Sequence, residues 1–189
     1  MQPIPELKYV GLYAVLLALV CISGMIWKWR GDRTMTISRH AAAHPQATLV
    51  FGFSITVTGL MFYAFLWFWF VPALGLPMLF SWLVSAAGIG QALAAWIPDR
   101  PGLESRIHNI GAFAMAIIMV PLAFLIARAP QASAAAHWAA VAFLLVAAIY
   151  ATLFFLVPRA KSYYLAYQSS YFGGFLLVIL IAAYTTYPA

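Results

Sequence analysis

The chain has 189 residues, 66% of them hydrophobic and only 7% charged, with a formal net charge of +6 and a mean hydropathy of +0.95. Soluble domains are roughly half apolar and a quarter charged, so this composition excludes an ordinary water-soluble globule and makes lipid the main solvent. The positive charge does not indicate nucleic acid, because the ten basic residues are scattered singly over short connections and form no patch interleaved with exposed aromatics.

In chain order, apolar runs extend from Tyr9 to Trp27, Ala47 to Val71, Met78 to Ile97, Ile107 to Ala127, Ala134 to Val157 and Leu165 to Tyr184. Each has about 19 to 25 residues, enough to cross a ~30 Å hydrocarbon layer as a helix. The expected fold class is therefore all-α, a polytopic integral membrane six-helix bundle, with residues 1–189 forming a single transmembrane domain. After the first run come Lys28, Trp29 and Arg30 where a secretory signal would carry small residues for cleavage, so this run is expected to remain as a span. It also contains Cys21, the only cysteine, which excludes an intrachain disulfide.

The connections carry a charge bias. Lys28, Arg30, Arg33 and Arg39 in the first, Arg100 and Arg106 in the third, and Arg159 and Lys161 in the fifth put eight basic residues on one side. Lys8 and Arg128 are the two on the other. The basic side is predicted to be cytoplasmic, with both termini outside, and its loops are expected to contact anionic lipid headgroups.

Within the spans, Pro121 predicts a kink in the fourth helix, and Pro72, Pro77, Pro98 and Pro101 mark helix ends. Small residues four apart, Ala86 with Gly90, Ser169 with Gly173 and Ser170 with Gly174, nominate the third and sixth spans for close backbone approach. The aromatic run Phe62 to Phe70 reads as an interfacial belt at the outer end of the second span. All four carboxylates, Glu6, Asp32, Asp99 and Glu104, fall in tails or loops, so no fixed ion-coupling group is expected in the interior. The polar residues left in the spans are mild ones, among them Thr58, Gln91 and Gln168, suited to interhelical hydrogen bonds or to lining a ligand cavity.

Topology gathers the most reactive side chains at the basic side as a candidate polar cluster: Ser38, His40, His44, Asp99, His108 and Asn109. His40 and His44 are four apart, the spacing that puts two imidazoles on one face of a helical turn for a divalent metal, with His108 or Asp99 completing the set. Pro45 works against this by pushing His44 out of helical dihedrals. The competing reading makes these histidines interfacial hydrogen-bonding groups. A bis-histidine haem has poor support, because it needs ligands from facing helices at compatible depth and only the interfacial His40, His44 and His108 can be paired on one side.

The loop Thr36-Ile37-Ser38-Arg39-His40-Ala41-Ala42 and the stretch Ile97-Pro98-Asp99-Arg100-Pro101 leading to Ile107-His108-Asn109-Ile110-Gly111-Ala112 resemble a bacterial six-helix membrane protein family of unassigned function. That family is distantly similar to the damage-regulated autophagy modulator group. The resemblance implies a compact six-helix bundle in a bacterial inner (plasma) membrane and carries over Ser38, Asp99, His108 and Asn109, without a biochemical role; Arg39 and His44 depart from its pattern.

The leading functional expectation is a membrane protein that binds or organises lipid, apolar ligand or partner helices, with a membrane protein partner or a second copy as possible company and no nucleic acid. The first alternative is a membrane-embedded hydrolase or transferase acting on a lipid headgroup, with His40, His44, His108 and Asp99 holding a divalent metal as cofactor. The second is a small neutral-solute channel or uniporter.

Overall fold

A computed structural model describes residues 2–32, 34–157 and 163–186. Among these residues there are seven helices and no strand: α1 (Leu7–Lys28), α2 (Ile37–Ala42), α3 (Pro45–Leu74), α4 (Met78–Trp96), α5 (Leu103–Ala127), α6 (Ala134–Leu156) and α7 (Tyr164–Thr185). All but α2 are long and apolar enough to cross a membrane, which makes the chain a polytopic membrane protein. The most extensive pairings are α4 with α5, α1 with α3 and α6 with α7, so the chain folds as three hairpins turned at the end that carries Lys28, Arg30, Arg39, Arg100 and Arg106. Arg33, Arg159 and Lys161, the remainder of the predicted cytoplasmic set, lie outside the described residues.

Local chemistry sets the helix ends. Thr36 caps α2, its hydroxyl accepting from the Arg39 amide at 3.2 Å, and the Ser133 hydroxyl caps α6 by accepting from the Ala136 amide at 3.0 Å. His44 takes extended dihedrals (φ −142°, ψ 132°) and caps α3, with Pro45 in the first turn where a missing N–H costs nothing. Gly75, at φ 63°, ends α3 in the left-handed conformation that a side chain would strain.

The aromatic run is a correction to the sequence reading. Phe65, Trp69 and Phe70 are buried, and Phe68 is the run's clearly exposed ring, so most of these rings are core and not an interfacial belt. The reason is local. Pro72 has no N–H to give the Phe68 carbonyl, and the helix widens into a π turn over Leu66–Phe70, with the Val71 amide reaching back to the Leu66 carbonyl. The Phe68 carbonyl instead accepts from the Ile4 amide at 3.0 Å, which ties the N-terminal segment across the end of the bundle. Widening the turn rotates the rings inward, where Phe65, Phe70 and Phe80 form a chain with centroids 5.6 and 5.9 Å apart.

That aromatic chain anchors a core in the half of the bundle away from the basic loops, together with Leu74, Ile126 and Ile179. At the α4–α5 crossing, a methyl on Gly90 would sit 2.6 Å from the Gly111 carbonyl oxygen, so the two backbones touch. Close approach is thus found on the third span. On the sixth, Gly173 faces open space and Gly174 meets Phe143 at ordinary contact distance. Near Pro121, the Tyr171 hydroxyl donates to the Ala116 carbonyl at 2.8 Å, next to the Ile117 carbonyl that the proline leaves without its helical donor. The outward surface carries Val20, Leu60, Trp82, Ile89, Ile117 and Trp138, an apolar coat suited to lipid.

Candidate functional site

Toward the basic end the packing opens. α1, α3, α4, α5 and α7 surround a cavity of about 210 Å³, roofed by Ile37 and Ser38 of α2. On α5 its lining extends from His108 to Leu122, ~21 Å at 1.5 Å per residue. Spread over that length, the volume is a long, thin slot. Its floor is set by Leu66, at the π turn, and by Met119 and Leu122. Below it lies the closed aromatic core.

Around this ring the α1–α7 seam is the weak one. The two helices touch sparsely, whereas α6 packs on both α5 and α7 and backs their junction. Polar contacts stand at both ends of this region. Away from the basic loops, the Lys8 ammonium lies 4.9 Å from the Tyr184 ring centroid and 5.2 Å from that of Trp69. At the basic end it is α2 that is tied to α7, by the Ile37 amide donating to Gln168 Oε1 at 2.9 Å. Between these contacts, the lining residues Ala18, Ile22, Phe172 and Leu176 keep part of their surface exposed.

The slot is mostly apolar with two polar positions. Midway, the Tyr63 hydroxyl donates to Gln91 Oε1 at 3.1 Å while the Gln91 amide reaches the Ile55 carbonyl at 3.4 Å, so these polar groups satisfy one another. Thr58 nearby donates to the Ser54 carbonyl at 2.7 Å. At the basic end stand Ser38, His108 and Gln168. Among the described residues, none in the lining carries a carboxylate, an ammonium or a guanidinium.

The predicted cluster is divided among four places. Ser38 is buried at the slot roof, its hydroxyl 3.0 Å from that of Thr36. His108, 2% exposed, donates from Nδ1 to the Ile97 carbonyl at 2.7 Å, latching α5 onto the end of α4. His137 makes the same kind of latch at the opposite end, to the Ala127 carbonyl at 2.8 Å. Asp99 is buried beneath Arg39, with Oδ2 2.9 Å from the guanidinium Nε and Oδ1 accepting from the Ser105 hydroxyl at 2.6 Å. Asn109 extends this network by donating to Ser105 Oγ at 3.2 Å. His40 lies apart, its Nδ1 donating to the Thr36 carbonyl at 2.9 Å, in a separate crevice beside Arg30, Gly31 and Leu165. His44 sits at an exposed corner stacked on Trp29 at 5.8 Å, its Nδ1 accepting from the Gln46 amide at 3.3 Å.

The four residues weighed as metal ligands, His40, His44, His108 and Asp99, are therefore each engaged with a different partner. Among the described residues, no three His, Cys, Asp or Glu side chains group to hold a metal ion. The helix boundary explains the first pair: α2 ends at Ala42 and His44 is already extended ahead of Pro45, so the four-residue spacing never becomes one helical face. The slot itself escaped sequence reading. Its only signal there was the placement of Thr58, Gln91 and Gln168 inside apolar spans.

No family model matches the chain, and neither a curated protein nor a solved structure does.

Proposed function

We propose that this protein binds a single hydrocarbon chain of a membrane amphiphile in the slot, admitted from the bilayer between α1 and α7. The observation that carries this reading is a cavity ~21 Å long on α5 whose described lining is uncharged and whose lining residues on α1 and α7 are partly exposed. Passage of a solute across the membrane fits less well, because the slot ends on fully buried Phe65, Phe70 and Leu74. Metal-assisted hydrolysis fits less well because its donors are dispersed and tied to other groups. The basic loops would face the cytoplasm and touch anionic headgroups, with both termini outside. The resemblance to a family without assigned activity leaves this reading unchanged.

A chain leaving lipid for an apolar slot gains little from the hydrophobic effect, since lipid tails are equally apolar. Selection must then come from fit and from polar contacts. The test is titration of the detergent-purified protein with a single alkyl chain bearing a terminal pyrene. Saturation at one probe per chain is expected, and its loss on Ala112→Leu, which places a larger side chain in the slot. Non-saturable partitioning, identical in the variant, would dismiss the reading.

A further inference from the structure

We infer that the occupant of the slot carries a neutral, hydroxyl-type head at the basic end, read by His108 and Gln168 beneath α2; the inference rests on the chain-binding reading above. The case begins with the His108 ring. Its Nδ1 faces a carbonyl oxygen, which can only accept, so Nδ1 carries the proton. In the neutral imidazole Nε2 is then an acceptor, and it has no hydrogen-bond partner among the described residues. No enclosed side-chain nitrogen or oxygen there lacks a partner. A partnerless Nε2 must therefore reach open space, and for a ring 2% exposed that space is the slot it lines.

Gln168 supplies the complementary group. Its Oε1 is occupied by the Ile37 amide at 2.9 Å, which leaves the Nε2 donors without a partner among the described residues. It too borders the slot, in the second turn of α7, as His108 does in the second turn of α5. One free acceptor and one free donor at the same end of an apolar slot match a hydroxyl, which gives one hydrogen bond and takes another. A carboxylate matches poorly, because it cannot donate to Nε2 and would enter an intramembrane site with no cationic side chain among the described lining residues. The occupant class is a long-chain alcohol or another single-chain amphiphile with a neutral hydroxyl head.

The test is competition against the pyrene-alkyl probe by 1-hexadecanol, its methyl ether and palmitate. The alcohol is expected to compete about tenfold better than the ether, the equivalent of about 1.4 kcal/mol. Palmitate is expected to be no better than the ether. His108→Asn keeps a donor near the Nδ1 position for the Ile97 latch and removes the Nε2 acceptor. It should lose the preference for the alcohol over the ether, whatever its affinity for the probe. Failure of the wild-type protein to bind the probe overturns the chain-binding reading and this inference with it. Probe binding with equal competition by alcohol and ether, or with palmitate strongest, overturns this inference alone. So does an undiminished alcohol preference in His108→Asn. The wild-type comparison decides even where the variant does not fold.

Discussion

Both ends of this bundle carry polar latches, His137 to Ala127 among them, but their interiors differ. Away from the basic loops, Phe65, Phe70, Phe80, Leu74, Ile126 and Ile179 fill the interior with essentially no exposed surface. At the basic end the helices are joined by polar latches, Arg39 to Asp99, Ile37 to Gln168 and His108 to Ile97, set around space left open. Dense packing fixes helix positions without a hydrogen bond, and in lipid it is van der Waals contact that does so. Latches hold helix ends apart at a defined distance and so tolerate a slot between them. A protein needing both a stable bundle and a place for a guest can divide the tasks along its axis.

Truncation in the closed half should have the largest effect. Phe70→Ala is expected to cost about 3 kcal/mol of stability, the low end for a buried phenylalanine because transfer from lipid contributes little. Ala112→Leu, which fills the slot, should cost less than about 1 kcal/mol, since it occupies space where overpacking is otherwise penalised. Denaturant titration of both variants in the same detergent measures the contrast. Equal losses would remove the distinction between the two halves.

Gly90→Val comes next, at about 2 kcal/mol, because its Cβ meets backbone and no flexible side chain can yield. The effect should appear as splaying of α4 from α5, measured by spin-label distances between residues 89 and 113. A variant with unchanged stability and distance would mean the crossing is looser than the geometry implies.

A smaller effect is expected from Arg39→Ala. The Arg39 side chain is 55% exposed and Asp99 only 4%, so water already screens one partner. The loss should be about 1 kcal/mol, reduced further in high salt. Its more specific result is faster exchange of the pyrene probe, since α2 roofs the slot and this ion pair ties it to the α4–α5 connection. Stopped-flow displacement checks that. Asn109→Ala, at the edge of the same network, should cost about 0.5 kcal/mol and leave exchange unaltered.

How much of this was legible in the sequence follows from the same contrast. Span length and hydropathy give the six long helices, because crossing a membrane constrains chain length directly. Proline and charge mark the turns. The polar cluster was partly legible, since hairpin topology brings Ser38, Asp99, His108 and Asn109 to one end. The short helix α2, whose end falls between His40 and His44, and the ion pair that holds it depend on tertiary contacts. The slot was not legible because these helices are apolar all round. A sequence without a polar face does not tell which side meets lipid, which meets a neighbour and which meets nothing. The aromatic run failed for a related reason: its composition suits either an interface or a core, and the π turn ahead of Pro72 decides.

The account turns on whether a guest chain enters the slot, and α5 contains its own control. Met115, Met119 and Leu122 line the slot, while Ile110, Ile117 and Phe124 of the same helix face outward. A long-chain alcohol with a diazirine near the chain terminus, photolysed with the protein in lipid nanodiscs and mapped by peptide mass spectrometry, separates the two faces. Adducts on Met115, Met119 or Leu122, suppressed by Ala112→Leu, are the predicted result. Adducts confined to Ile110, Ile117 and Phe124, unchanged by that substitution, would contradict it.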